Sequence, residues 1–293
     1  EMTMQAALDE LIRRISLEPM EADRFRGDGG GRPGQRVYGG LVLGQALMAA
    51  GRTVDEDRSA HSLHAYFIRP GDEAEPIVYE VERMRDGGSF SIRRVVAIQH
   101  GQPIFNLSAS FQIPEEGLTH QSEMPEMPPP EDLEDQYDFL MRHYDEIPAA
   151  YHQRIAPKYP LRFRLTDRAH PVRPQPAPPE TSVWMKAEGR IGDDLLVHQA
   201  LLAYASDYRL LNTSLRPHGR SMFEGRTMMA SLDHALWLHR PFRMDEWLLY
   251  TFDTPSASNA RGFSRGSIFT RDGVLVASVA QEGLIRPVER QSS

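Results

Sequence analysis

Two stretches of the chain carry small and apolar residues on nearly every helical face. GQALMAAGRTV begins at Gly44 and HQALLAYASDY begins at His198. On a 3.6-residue period, Leu196, Ala200, Ala203 and Asp207 share one face, with Gln199 and Tyr204 beside it. Small side chains along a face predict close packing, so a carboxylate there is unfavourable unless it has partners. Taken alone, the window allows a plainer reading, in which Asp207 sits at the helix end and points to water.

After each helix come strand-like segments rich in aromatic and β-branched residues, broken by turns such as RDGG and RDG. SLHAYFIRPGD, from Ser62, matches SLDHALWLHRPFRMDE, from Ser231, with one insertion. GQPIFNLSAS (101–110) matches RDGVLVASVA (271–280). With the helices, these make three matching pairs in the same order, which points to an internal duplication. Between the copies, more than half of the 22 prolines fall in 114–179, including PEMPPPEDLED and HPVRPQPAPPE. Proline at that density opposes helix and central strand. It predicts a long connection holding one helical piece, Asp132 to Tyr144. The expected organisation is a first unit over 1–113, a linker over 114–180 and a second unit over 181–293. In each unit a helix is wrapped by an antiparallel meander, an α+β arrangement.

Composition narrows the function. Hydrophobic residues make up 40% of the 293 positions and charged residues 25%, as in ordinary globular proteins. A net charge of −8 argues against a basic nucleic-acid binder but leaves room for an anionic substrate held by local arginines. With no cysteine there is no disulfide, thiolate nucleophile or cysteine metal site. The first residues, EMTMQAALDELIRRISLEP, form a short amphipathic helical pattern and not a signal peptide. No apolar run reaches membrane-spanning length, so no membrane insertion is expected. The closing RQSS is not a peroxisomal tripeptide. These features lead us to expect a cytoplasmic location.

The runs YGGLVLGQALMAAGRTV, HSLHAYFIRPGD, SLDHALWLHRPFRMDEWLLY and SASNARGFSRGSIFTRDGVLVASVAQEGLIR resemble the acyl-CoA thioesterase II family, from about Val37 to Arg286. The resemblance implies a double hotdog fold: two antiparallel sheets side by side, each wrapped around a central helix and joined by the proline-rich linker. It implies hydrolysis of fatty acyl-CoA to free fatty acid and coenzyme A, with no cofactor and no metal. Carried over by motif, the catalytic residues are Asp207 of ASD, Ser231 before LDHALW, and Gln281 of VAQEG. Many bacterial members have threonine at the position of Ser231. Further association into a dimer or tetramer is expected on family grounds.

Those residue types suit the chemistry. A carboxylate can act as general base toward a water, and burial would raise its pKa from ~3.9 toward a more useful value. Serine and glutamine supply hydrogen bonds that hold the carboxylate and the water. Direct water attack is the expected route. Gly39 and Gly40, just before the first helix, are candidates for backbone donors to the oxyanion; alternatively they only form the turn into it. Arg93, Arg94, Arg261 and Arg265 are candidates for the coenzyme A phosphates, against the plainer reading of a solvated strand face. His61, His64 and His234 are expected to be structural, hydrogen-bonded histidines, and Trp237 and Trp247 to serve packing.

Other patterns lead nowhere. GFSRG (262–266) has the letters of a nucleophile elbow but continues as strand, turn and strand, and no histidine follows Ser264. GGGRPG (29–34) has the letters of a dinucleotide loop without a preceding strand. Two rivals remain. One is a hotdog enoyl-CoA hydratase, for which no Asp–His pair near Asp207 is expected and His198 lies too far along the helix. The other is a non-catalytic acyl-CoA binding protein that keeps its pocket.

Overall fold

A computed structural model describes residues 3–32 and 34–288; Pro33 of the GGGRPG loop and the closing RQSS lie outside them. The N-terminal amphipathic pattern forms α1 (Met4–Ser16), capped by the Thr3 hydroxyl on the Ala6 N–H, with Leu8 and Ile15 buried. There follow β1 (Glu18–Glu21), β2 (Arg24–Gly27), α2 (Gly39–Gly51), β3 (Ser59–Phe67), β4 (Ile77–Asp86), β5 (Phe90–Gln99) and β6 (Gln102–Gln112). The proline-rich stretch holds α3 (Gln136–Arg142), α4 (His152–Ile155) and β7 (Leu161–Leu165). The second copy comprises β8 (Glu180–Ala187), α5 (Leu195–Ser206), α6 (Leu210–Thr213), β9 (Thr227–Ser231), β10 (Asp233–Leu238), β11 (Leu248–Ser258), β12 (Arg261–Thr270) and β13 (Leu275–Pro287).

All these strands belong to one antiparallel sheet, ordered β1-β2-β4-β5-β6-β3-β10-β13-β12-β11-β8-β7, with β9 beside the far end of β13. The two sheets expected side by side are therefore hydrogen-bonded into one. The seam is the β3–β10 pair, with His64 opposite Ala235 and Tyr66 opposite Asp233.

α2 contains no charged residue and is buried from Gly40 through Ala50. It lies against β2 to β6 on one side and α5 on the other. The small residues of α5 have a partner that was not expected, α2, besides the strands. A Cβ on Gly40 would overlap the Tyr204 carbonyl oxygen, and one on Gly44 would stand 2.9 Å from that of Ala200. The helices thus run antiparallel in near-backbone contact. This brings the N-terminus of α2 to the C-terminus of α5.

The middle of the chain is more ordered than proline content predicts. The helix expected over Asp132–Tyr144 is only α3, started by Asp135, whose carboxylate accepts the Tyr137 N–H, and flanked by single 3₁₀ turns at 130–132 and 144–146. The segment expected as linker also contributes β7, which pairs with β8 from Leu161 opposite Ala187 to Leu165 opposite Val183. LRFRL alternates as an edge strand should, buried at Leu161, Phe163 and Leu165. Among the described residues no helix is long and apolar enough to cross a membrane.

Candidate active site

α5 ends at Ser206, and Asp207 is its C-terminal cap. The chain then turns sharply through Arg209, whose φ of 63° breaks the helical path before α6. Tyr250 donates its hydroxyl to the Ser206 carbonyl at 2.7 Å and anchors the helix end against β11. Asp207 consequently sits where α5 stops and α2 begins. A Cβ on Gly39 would lie 2.8 Å from Asp207 Oδ2, so only glycine leaves the carboxylate room.

Ser231, His234 and Gln281 converge on the same place. β10 pairs with β13 along 277–280 and β9 pairs with it along 283–287. Gln281 falls in the break where the partner strand changes. Leu232 bridges the break by donating its N–H to the Glu282 carbonyl, and the Asp233 carboxylate accepts the Glu282 N–H at 2.7 Å. Between Ala235, opposite Ala280, and Ser231, opposite Gly283, this side of the ladder holds one residue more than β13, a bulge. Residues three apart on a regular strand face opposite ways. The bulge instead lets both Ser231 and His234 reach Gln281. Gln281 Nε2 donates to Ser231 Oγ at 2.6 Å. His234 Nδ1 lies 3.0 Å from Gln281 Oε1 and 3.8 Å from Asp207 Oδ1. Its Nε2 lies 2.9 Å from Ser206 Oγ.

The electrostatics set Asp207 apart. Its side chain is 7% exposed, and its buried Oδ1 makes no hydrogen bond among the described residues. Loss of water pushes its carboxyl above the ordinary value; the nearby His234, Gln281, Gly40 N–H and Ser231 pull it back only in part. The helix termini act in opposite senses, α5 presenting its negative end and α2 its positive end. Burial also lowers the His234 imidazole, with Asp207 opposing, and raises the Tyr38 and Tyr250 phenols well above the ordinary value, to which Asp207 adds.

Asp207, Ser231, Gln281, Gly39 and Gly40 therefore come together. The arginines do not join them. Arg93, expected to meet phosphates or solvent, is 1% exposed and faces inward. It donates to Thr53 Oγ1 and the Thr53, Arg85 and Ile92 carbonyls and pairs with Asp86 at 2.7 Å. The alternation of β5 requires one of Arg93 and Arg94 to point in, and the Thr53 turn supplies the acceptors. Arg94 is exposed, 3.6 Å from Glu82. Arg261 pairs with Glu282 at 3.1 Å, and Arg265 makes a bidentate pair with Asp253 at 3.0 and 2.6 Å. Both lie on the solvent side of β12, opposite to the side of the buried Ser264.

One expectation about histidine needs correction: an Asp–His pair does exist near Asp207, with His234 Nδ1 3.8 Å from Oδ1. His234 is a buried, hydrogen-bonded histidine as expected, but its place beside Gln281 was not foreseen; the signal available was its position three residues after Ser231. His198 is bound elsewhere, to the Gly192 carbonyl and the Met244 N–H. His61 bonds Ser110 and His64 stacks edge-on against Trp237, as structural histidines do. GFSRG lies wholly within β12, and its Gly266 makes room for the Tyr250 ring.

Both halves of the chain match known proteins. Positions 153–284 match the profile of the acyl-CoA thioesterase family, and 29–112 match that of the acyl-CoA thioesterase N-terminal domain. Acyl-CoA thioesterase 2 of Haemophilus influenzae is 38% identical, over 97% of this chain and 99% of its own. The crystal structure of acyl-CoA thioesterase II TesB2 from Mycobacterium marinum superposes with a TM-score of 0.76 at 39% identity, over 96% of this chain and 99% of that one. A hot dog fold protein of Alicyclobacillus acidocaldarius superposes with a TM-score of 0.75 at 19% identity, covering 95% and 98%, a likeness of fold alone.

Proposed function

The chain belongs to the acyl-CoA thioesterase family, with a hotdog fold, and from that premise we propose that it cleaves acyl-CoA by water attack with Asp207 as general base. We read the two helix-and-meander copies as a double hotdog, 1–113 and 181–293, with the connection between them lending β7 to the second. The single observation that carries the reading is the Asp207 carboxylate: buried, short of hydrogen bonds at Oδ1, and adjoined by Ser231, Gln281 and the first turn of α2.

In this reading a water bound at the Asp207 carboxylate gives its proton to Asp207 as its oxygen bonds to the thioester carbonyl carbon. The raised pKa makes the carboxylate a stronger base than one in water. Ser231 and Gln281 hold the water and carboxylate in line. The Gly40 N–H faces Asp207, so the Gly39 N–H is the remaining candidate for the developing oxyanion. The tetrahedral intermediate collapses by breaking the C–S bond. The proton on Asp207 then passes to the departing coenzyme A thiolate, leaving a carboxylic acid and free thiol.

The Asp207–His234 proximity invites the hydratase reading, but both ring nitrogens of His234 are engaged, by Gln281 and Ser206. No ring nitrogen is left to deliver a proton to an enoyl group. The test is thiol release from a panel of short to long acyl-CoAs by wild type and Asp207→Asn. Removal of the base should lower kcat by about 10²–10⁴-fold in a folded protein. Near-normal release by the variant overturns the assignment. Saturable binding with no release by wild type moves the protein to the binding class, and loss of enoyl absorbance moves it to the hydratases.

A further inference from the structure

We infer that His234 is a positioning residue for the reaction: it dictates which end of the Gln281 amide faces Ser231 and Asp207. The inference rests on the roles proposed above for Asp207, Ser231 and Gln281. The two ends of an amide have nearly the same shape, but one donates and the other accepts. Shape alone cannot orient Gln281, so a neighbour with a defined proton must do so.

His234 is that neighbour. Its side chain has no exposed surface, so it acts on the substrate only through the groups it faces, Gln281 at hydrogen-bond distance and Asp207 at 3.8 Å. An amide oxygen only accepts, and Oε1 stands 3.0 Å from Nδ1, so Nδ1 carries a proton and donates. In the neutral ring Nε2 is then a lone pair. The donor within reach is the Ser206 hydroxyl at 2.9 Å, whose one proton can go instead to the Ala203 carbonyl at 2.8 Å. The result is a one-way chain: Ser206 O–H to His234 Nε2, His234 Nδ1–H to Gln281 Oε1, Gln281 Nε2–H to Ser231 Oγ. Because Ser231 accepts from Gln281, its own proton stays free for Asp207 or the attacking water. Reversing the amide would spend the Ser231 proton on Oε1 and turn the Gln281 donor away from the site. Burial, which disfavours the charged imidazole, supports the neutral ring.

Three substitutions separate this role from packing. His234→Asn places an amide N–H near the position of Nδ1–H. His234→Gln reaches toward Ser206 but loses the donor at the Nδ1 position. His234→Leu keeps bulk and loses both. With thiol release as the assay, His234→Asn should keep kcat within about tenfold of wild type. His234→Gln and His234→Leu should lose about 10²-fold or more, as expected for a misplaced catalytic group, with KM unchanged. Equal kcat for the Asn and Gln variants, both folded by circular dichroism, overturns the inference. So does near-normal turnover by His234→Leu. If the leucine variant does not fold, the comparison of the two amides decides. Asp207→Asn in the same series keeps the two ideas apart. If it is inactive while the His234 variants behave alike, only the inference about His234 fails. If it is active, the reading of the site itself fails.

Discussion

Replacing Gly39 by alanine would put a methyl carbon 2.8 Å from Asp207 Oδ2 and 3.0 Å from the Phe67 ring. Ordinary C···O contacts begin at about 3.3 Å, so the carboxylate must retreat by about 0.5 Å or more. A misplacement of about 1 Å at a reacting group is worth roughly 10²-fold in rate, so Gly39→Ala should lower kcat about 10–50-fold. Stability should fall by only about 1–2 kcal/mol, since a side-chain end can move aside. Gly40→Ala makes the control. Its Cβ would meet the Tyr204 carbonyl oxygen, which is backbone and cannot move without parting α2 from α5. That variant should lose about 3 kcal/mol or more in denaturant unfolding. The paired measurement is kcat by thiol release and the urea midpoint for each variant. A Gly39→Ala enzyme with kcat within twofold of wild type would refute the placement of Asp207 against the first turn of α2.

Further outcomes follow from the same geometry. Arg93→Met removes a buried guanidinium with five hydrogen bonds. Because Asp86 is half exposed, the loss should be about 2–3 kcal/mol by chemical unfolding. KM for acyl-CoA should not change; a raised KM would restore Arg93 as a phosphate ligand. Ser231→Thr keeps the hydroxyl and should stay within about threefold of wild-type kcat, whereas Ser231→Ala strands the Gln281 N–H and should lose about 10–100-fold. Asp207 must be ionised to act as base, and its carboxyl sits above the ordinary 3.8, so the acid limb of kcat/KM should fall above that value and vanish in Asp207→Asn. Between 3.8 and its folded pKa the native state binds more protons than the unfolded chain, so this group's effect is to lower stability as pH rises through that window. Above it, Asp207→Asn should melt no lower than wild type; a clearly lower melting temperature there would contradict the desolvation argument.

Much of this was readable before any coordinates. The all-round apolar faces of 44–50 and 198–206 announced two buried helices. What those helices packed against was not readable, because alanine and glycine suit a strand wall and a second helix equally well. β7 was hidden by the prolines around it, although LRFRL alternates cleanly. Arg93 and Arg94 show the limit of strand patterns: one had to point inward, and only the register with Thr53 decides which. Asp207, Ser231 and Gln281 came from resemblance to relatives and not from spacing. His234 escaped because its partner lies 47 positions away and comes opposite it only when β10 pairs with β13.

The meeting of α2 with Asp207 has a further consequence. A carboxylate from one copy is completed by backbone from the other, so the proposed active centre exists only while the copies are docked. In two separate molecules that docking would weaken on dilution; within one chain it is unimolecular, and specific activity should not depend on enzyme concentration for this reason. Covalent fusion also releases the copies from symmetry. A pair of identical units would have to carry every residue in both roles. Here the position that the repeat aligns with Asp207 is Thr53, which accepts from Arg93 and is not acidic. On the proposed reading, only one copy supplies a base and the other serves as scaffold.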